Sequence, residues 1–107
     1  MYHLRQSTAA TVHIGPFVDA TDGVTPETGL SIGSSNVRLS LNGGDFAAKH
    51  DSTACTHDEY GWYTCPLDST DTANAGLLRL SVQVAGALPV WHELAVLPQN
   101  VWDTLYG

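Results

Sequence analysis

Residues 78–84 alternate apolar and polar at every step, Leu78-Arg79-Leu80-Ser81-Val82-Gln83-Val84. Such alternation places one set of side chains in a core and the other in water, which an extended strand does and a helix does not. The neighbouring segments read the same way. Trp62-Tyr63-Thr64-Cys65 is aromatic and β-branched, residues 90–97 are again apolar, and Ala85-Gly86-Ala87 is a hinge between the last two strands. The stretch 55–96 is therefore expected to be consecutive strands joined by tight turns.

Earlier segments extend the pattern. Thr11-Val12-His13-Ile14 is a short strand candidate ended by Gly15-Pro16, with Phe17 and Val18 continuing it beyond a kink. Residues 19–29 are rich in turn formers, and Leu30-Ser31-Ile32 reads as a further short strand before a turn at Ser34-Ser35-Asn36. Val37-Arg38-Leu39-Ser40-Leu41 alternates, which sends Val37, Leu39 and Leu41 inward. Asn42-Gly43-Gly44 is a hairpin signal because these residues tolerate positive φ. Residues 45–48 are the expected return strand, with Phe46 packed. Pro98 stops the sheet, and Asn100 is positioned to cap a helix over residues 101–106 whose Val101, Trp102 and Leu105 share one face.

Seven or so short strands at this spacing predict an all-β fold, a single immunoglobulin-like β-sandwich with a short C-terminal helix. A chain of 107 residues suits one such domain and can bury a core without staples. The expected division is an N-terminal arm over 1–9, the sandwich over 10–98 and a helical segment over 99–107.

Charge narrows the partners. Eleven acidic residues face four basic ones, for a net charge of −7. Binding to a nucleic-acid backbone or an anionic membrane needs clustered Lys and Arg, so neither is expected. Charged residues make up 14% of the chain, below the roughly 25% usual for soluble domains, which fits a surface partly covered by a partner. No apolar run approaches the ~20 residues of a membrane span. Residues 1–6 lack the basic start and hydrophobic block of a signal peptide, so synthesis in a cytoplasm is expected.

Chemistry-bearing residues are sparse. Cys55 and Cys65 flank a predicted hairpin, where they face each other either as a disulfide or as two buried thiols, and cytoplasmic synthesis favours the thiols. His57-Asp58-Glu59 is the densest titratable cluster, but adjacent strand residues point to opposite faces. His92 reads as a packed or edge-facing histidine. Asp19-Ala20-Thr21-Asp22-Gly23 partly matches a calcium loop and lacks its late glutamate. No Gly-x-Ser-x-Gly turn is present, and Gly43-Gly44 is not followed by the Lys-Ser/Thr of a phosphate loop. No catalytic residue, metal site or cofactor is expected, and the chain reads as a binding protein and not an enzyme.

The aromatic residues carry the binding expectation. Strand alternation sends at least one of Trp62 and Tyr63 inward. Trp102 and Tyr106 lie beyond the sheet, where little core remains, and such residues are favoured at interfaces. The interface candidates are Tyr2, Leu4, Val101, Trp102, Leu105 and Tyr106.

Particular strings carry a resemblance. Residues 1–8 (Met1-Tyr2-His3-Leu4-Arg5-Gln6-Ser7-Thr8), residues 19–30, Gly61-Trp62-Tyr63-Thr64-Cys65-Pro66-Leu67, Gly86-Ala87-Leu88-Pro89-Val90-Trp91-His92-Glu93 and Val96-Leu97-Pro98 resemble an N-terminal module of tailed-bacteriophage fibre-like virion proteins. The resemblance covers essentially the whole chain and brings no catalytic residue with it. It implies a virion structural protein made in the host cytoplasm, a tail or neck fibre module that anchors by protein–protein contacts. Other virion proteins of the tail, neck or capsid are the implied partners, and self-association as a trimer is favoured. The alternatives are a capsid decoration protein and a carbohydrate-binding module for host surface glycans, the latter using Trp91 and Glu93.

Overall fold

The computed structural model describes residues 2–106. Among these, eight strands run in chain order: β1 (Tyr2–Arg5), β2 (Ala10–Ile14), β3 (Val37–Leu41), β4 (Ala47–Ala48), β5 (Thr56–Glu59), β6 (Trp62–Leu67), β7 (Gly76–Val82) and β8 (Val90–Leu97). A 3₁₀ turn at Ser34–Asn36 leads into β3, and the helix α1 spans Gln99–Tyr106. Two sheets form, one ordered β1-β8-β7-β3-β4 and the other β2-β6-β5. β1 pairs with β8 in parallel, and the other strand pairings among the described residues are antiparallel.

The core lies between the sheets, and alternation decides what enters it. From the larger sheet come Leu4, Val37, Leu78, Leu80, Val82, Val90, Leu94 and Val96; from the smaller come Val12, Ile14, Tyr63, Cys65 and Leu67. Fully burying an aliphatic side chain of this kind is worth roughly 1.5–3 kcal/mol, so these rows fix both sheets and their registers. Tyr63 is the largest buried side chain, and its hydroxyl donates to the Glu27 carbonyl at 2.9 Å and accepts from the Leu30 amide at 3.0 Å. Phe17 meets its ring edge-on at 5.3 Å. Together they tie the irregular segment 17–30 to the core.

Both predicted hairpins form. Positive φ at Asn42 and Gly43 (51° and 82°) and at Tyr60 and Gly61 (48° and 84°) gives tight turns whose twist matches the flanking strands.

Several expectations are corrected. The segment read as an arm over 1–9 supplies β1, whose backbone pairs with β8 and whose Leu4 is 2% exposed. Leu30-Ser31-Ile32 forms no strand, although Ile32 is buried. The return strand after Asn42-Gly43 is only Ala47–Ala48, and Phe46 is 48% exposed instead of packed. The helix begins at Gln99, one residue before the expected cap: the Trp102 amide donates to the Pro98 carbonyl at 2.9 Å, so Asn100 lies inside the first turn. Among the described residues no helix is long and apolar enough to cross a membrane.

Candidate interface

Helix α1 has no buried residue among those described, although Val101, Trp102, Leu105 and Tyr106 all carry apolar surface. Polar contacts to β1 hold it. The Arg5 guanidinium donates from Nε to Asp103 Oδ1 at 3.0 Å and from Nη2 to Oδ2 at 3.3 Å. His3 Nδ1 and the Tyr106 hydroxyl are 2.8 Å apart, and the Gln99 amide donates to the Gln6 carbonyl at 3.2 Å. The hydrogen bond from Arg5 holds the Asp103 carboxyl below its ordinary range.

These contacts leave the apolar side chains of the helix facing out. Val101 is 39% exposed, Leu105 60% and Tyr106 57%. Val101 and Leu105 are one turn apart and so lie on the same side. Trp102 is half-buried and stacks on Tyr106 with ring centroids 4.4 Å apart. Four of the six sequence-derived interface candidates therefore gather on one helix. Leu4 does not belong with them, because it is in the core. The side chain of Tyr2 lies outside the described residues.

A second exposed surface covers the outer face of the larger sheet. Register aligns Trp91 of β8 with Ser81 of β7 and Arg38 of β3 in one row, and Glu93, Arg79 and Ser40 in the next. Trp91 is 68% exposed. Phe46 reaches the same face from the turn before β4. A groove of about 480 Å³ runs between Phe46 and Trp91, floored by Ser81 and Gln83 and bordered by Arg79 and Glu93. A second depression of about 530 Å³ shares Phe46, Ser81 and Gln83 and reaches Arg38. Sequence reading placed Trp91 and Glu93 on one strand face; it missed Phe46, because the length of the 42–46 turn, and not any hydrophobic period, turns that ring outward.

The cysteines are free and buried. The neighbouring Cys65 holds the Cys55 thiol below its ordinary value, while Cys55 and burial together drive the Cys65 thiol far above it. The chain's single lysine lies beside them: Lys49 Nζ is wholly buried and donates to the carbonyls of Thr53 at 2.7 Å and Pro66 at 2.9 Å. No periodicity in residues 45–53 announces a buried ammonium there.

His50 gathers with two carboxylates, its ring bonded to Asp68 and its amide donating to Asp71, whereas the titratable groups singled out in the sequence do not converge. His57 packs edge-on to Tyr63 while Asp58 bonds His13 of β2, over the intervening β6, at 3.0 Å, so the His57-Asp58-Glu59 string does not converge. His92 Nε2 accepts from the Gly15 amide at 3.1 Å, and burial lowers its pKa. Asp22 turns its carboxylate back onto Val24 and Thr25 of its own loop.

No family model matches the chain, and neither do the curated proteins or the solved structures.

Proposed function

We propose that this chain is a bacteriophage virion structural protein, an immunoglobulin-like module of a tail or neck fibre that anchors to the particle through protein–protein contacts. The strand orders support the immunoglobulin-like reading. Lettering β2 to β8 as B, C, C′, D, E, F and G gives a B-E-D sheet against G-F-C-C′, with β1 added beside G. The strings at residues 1–8, 61–67 and 86–93 support the virion reading by their resemblance to modules that begin fibre-like proteins.

The observation that carries the anchoring role is the outward apolar row on α1. A domain that holds its last helix by hydrogen bonds and one ion pair, while Val101, Leu105 and Tyr106 face water, has an apolar exposed element poised for a neighbour. Interfaces draw their energy from a few such aromatic and aliphatic anchors. Val101, Trp102, Leu105 and Tyr106 are the docking residues of this proposal, with other virion subunits and two further copies of the chain as partners. The mechanism is passive: the two-sheet body supplies rigidity, and β1 fixes the direction in which α1 points.

Sedimentation equilibrium and particle incorporation test it together. The expected result is a trimer that Leu105→Asp converts to monomers, with incorporation lost. Unchanged oligomeric state and incorporation in the Val101→Asp, Leu105→Asp double variant would overturn it. Density following capsid symmetry in a particle reconstruction would replace it with capsid decoration.

A further inference from the structure

We infer that the groove between Phe46 and Trp91 is a binding site for a carboxylated saccharide, a polyuronate chain in particular. This goes beyond the anchoring role and uses a different face of the molecule. The two contiguous depressions, of about 480 and 530 Å³, fall within the range of small-ligand sites, about 300–1,000 Å³. Their chemistry is amphipathic in the way sugar sites require. Phe46 and Trp91 are exposed rings whose electron-rich faces suit the C–H bonds of a pyranose, while Ser81, Gln83 and Glu93 supply hydroxyl partners. Because Ser81 is small, the row from Trp91 to Arg38 dips in the middle. Two strand spacings, about 10 Å, separate the ends of that row, which leaves room for a ring to lie across the sheet.

The placement of two arginines selects the acidic class locally, against the overall charge of the chain. The chain carries −7 overall and has only four basic residues. Lys49 is buried under its carbonyl bonds, and Arg5 is bound to Asp103. The other two, Arg38 and Arg79, both project from the groove face. Arg38 has no ion pair among the described residues, and Arg79 stands 3.7 Å from Glu93 without a hydrogen bond. In register they are diagonal neighbours on adjacent strands, roughly 7–8 Å apart at the backbone. A guanidinium presents a planar fork that fits a carboxylate at two points. Successive uronate residues carry one carboxylate per ring, so a chain lying along the groove meets arginine and aromatic ring together. A neutral glycan would offer Arg38 only hydroxyl acceptors without the charge-assisted, two-point contact, and a polyphosphate would leave the rings unused.

The test is titration of the protein with tetragalacturonate and, separately, with the neutral tetramer maltotetraose, followed by NMR and calorimetry. Tetragalacturonate is expected to shift the Trp91 indole and the outward amides of β3, β7 and β8, with affinity falling as salt rises. Trp91→Ala and Arg38→Ala are each expected to weaken binding about tenfold or more, the scale of one charge-assisted contact. Both residues are exposed, so neither change disturbs the core. Leu105→Asp should leave saccharide binding intact, which separates failure of this site from failure of the helix as an anchor. Absent shifts with tetragalacturonate, equal binding of maltotetraose, or undiminished affinity in both variants would overturn the inference.

Discussion

Arg5 on the first strand grips Asp103 on the terminal helix at two points, Nε to Oδ1 at 3.0 Å and Nη2 to Oδ2 at 3.3 Å. The pair joins residues 98 positions apart and lies in water, so it sets the direction of α1 more than the stability of the domain. Asp103→Ala is expected to leave the melting temperature almost unchanged while the α1 amides exchange faster. The pH dependence has a definite sign. Asp103 is held below its ordinary value of 3.8, so the contact is intact above that value and lost as pH falls through the lowered one. Chemical shifts in α1 that ignore both the substitution and acidification would show that other contacts position the helix.

Leu4 separates a strand from an arm. A docking arm would tolerate Leu4→Ala in the free domain, whereas a core residue 2% exposed should not. Loss of about 3 kcal/mol is expected, the middle of the range for truncating a buried leucine. Chemical denaturation of the isolated domain measures it, and a change below about 1 kcal/mol would return β1 to the status of an arm.

Strands whose side chains alternate were legible in the sequence, because period two is written directly into residues 37–41 and 78–82. Hairpin turns were legible for a local reason, since Asn42-Gly43 and Tyr60-Gly61 satisfy a positive-φ requirement within two residues. What could not be read was non-local. Parallel pairing of β1 with β8 joins the two ends of the chain and leaves no short-range mark. Leu30-Ser31-Ile32 has strand composition but spends its backbone and burial elsewhere: the Leu30 amide donates to Tyr63, and the Ile32 carbonyl accepts from Cys55. The helix face on Val101 and Leu105 was visible from its spacing, while the groove was not, because Phe46, Ser81 and Trp91 come from three distant segments.

Gly61 combines a conformational and a steric demand. Its φ is 84°, and a Cβ there would sit 2.5 Å from the Phe17 carbonyl oxygen. The two backbones are close because the Phe17 amide donates to the Gly61 carbonyl at 2.9 Å. Gly61→Ala must therefore strain the turn and push residue 17 away from Tyr63. Destabilisation of about 2 kcal/mol or more is expected from strain of this kind. Gly43→Ala makes the control, since Gly43 also has positive φ but meets no atom within 4 Å. Equal costs for the two would mean that backbone conformation alone, and not the approach to Phe17, sets the requirement.

Lys49 poses the opposite problem, a charge with no access to water. Its ammonium satisfies the carbonyls of Thr53 and Pro66, and Asp51 Oδ1 is 3.9 Å away. Lys49→Met keeps the apolar stem but leaves both carbonyls without a donor, at a cost of about 1–3 kcal/mol. Against that stands the desolvation of the ammonium, which the substitution relieves. Two carbonyls and a carboxylate around one cation favour the first effect, so net destabilisation is expected in a denaturant titration. The cation also helps hold the Cys55 thiol below its ordinary value, after the larger contribution of the neighbouring Cys65. Removing it should raise that value and slow alkylation of Cys55 by iodoacetamide at fixed pH, since the thiolate is the reactive form. A Lys49→Met protein that is more stable than the parent, with Cys55 equally reactive, would show that the buried ammonium neither supports this corner of the sheet nor acts on its thiols.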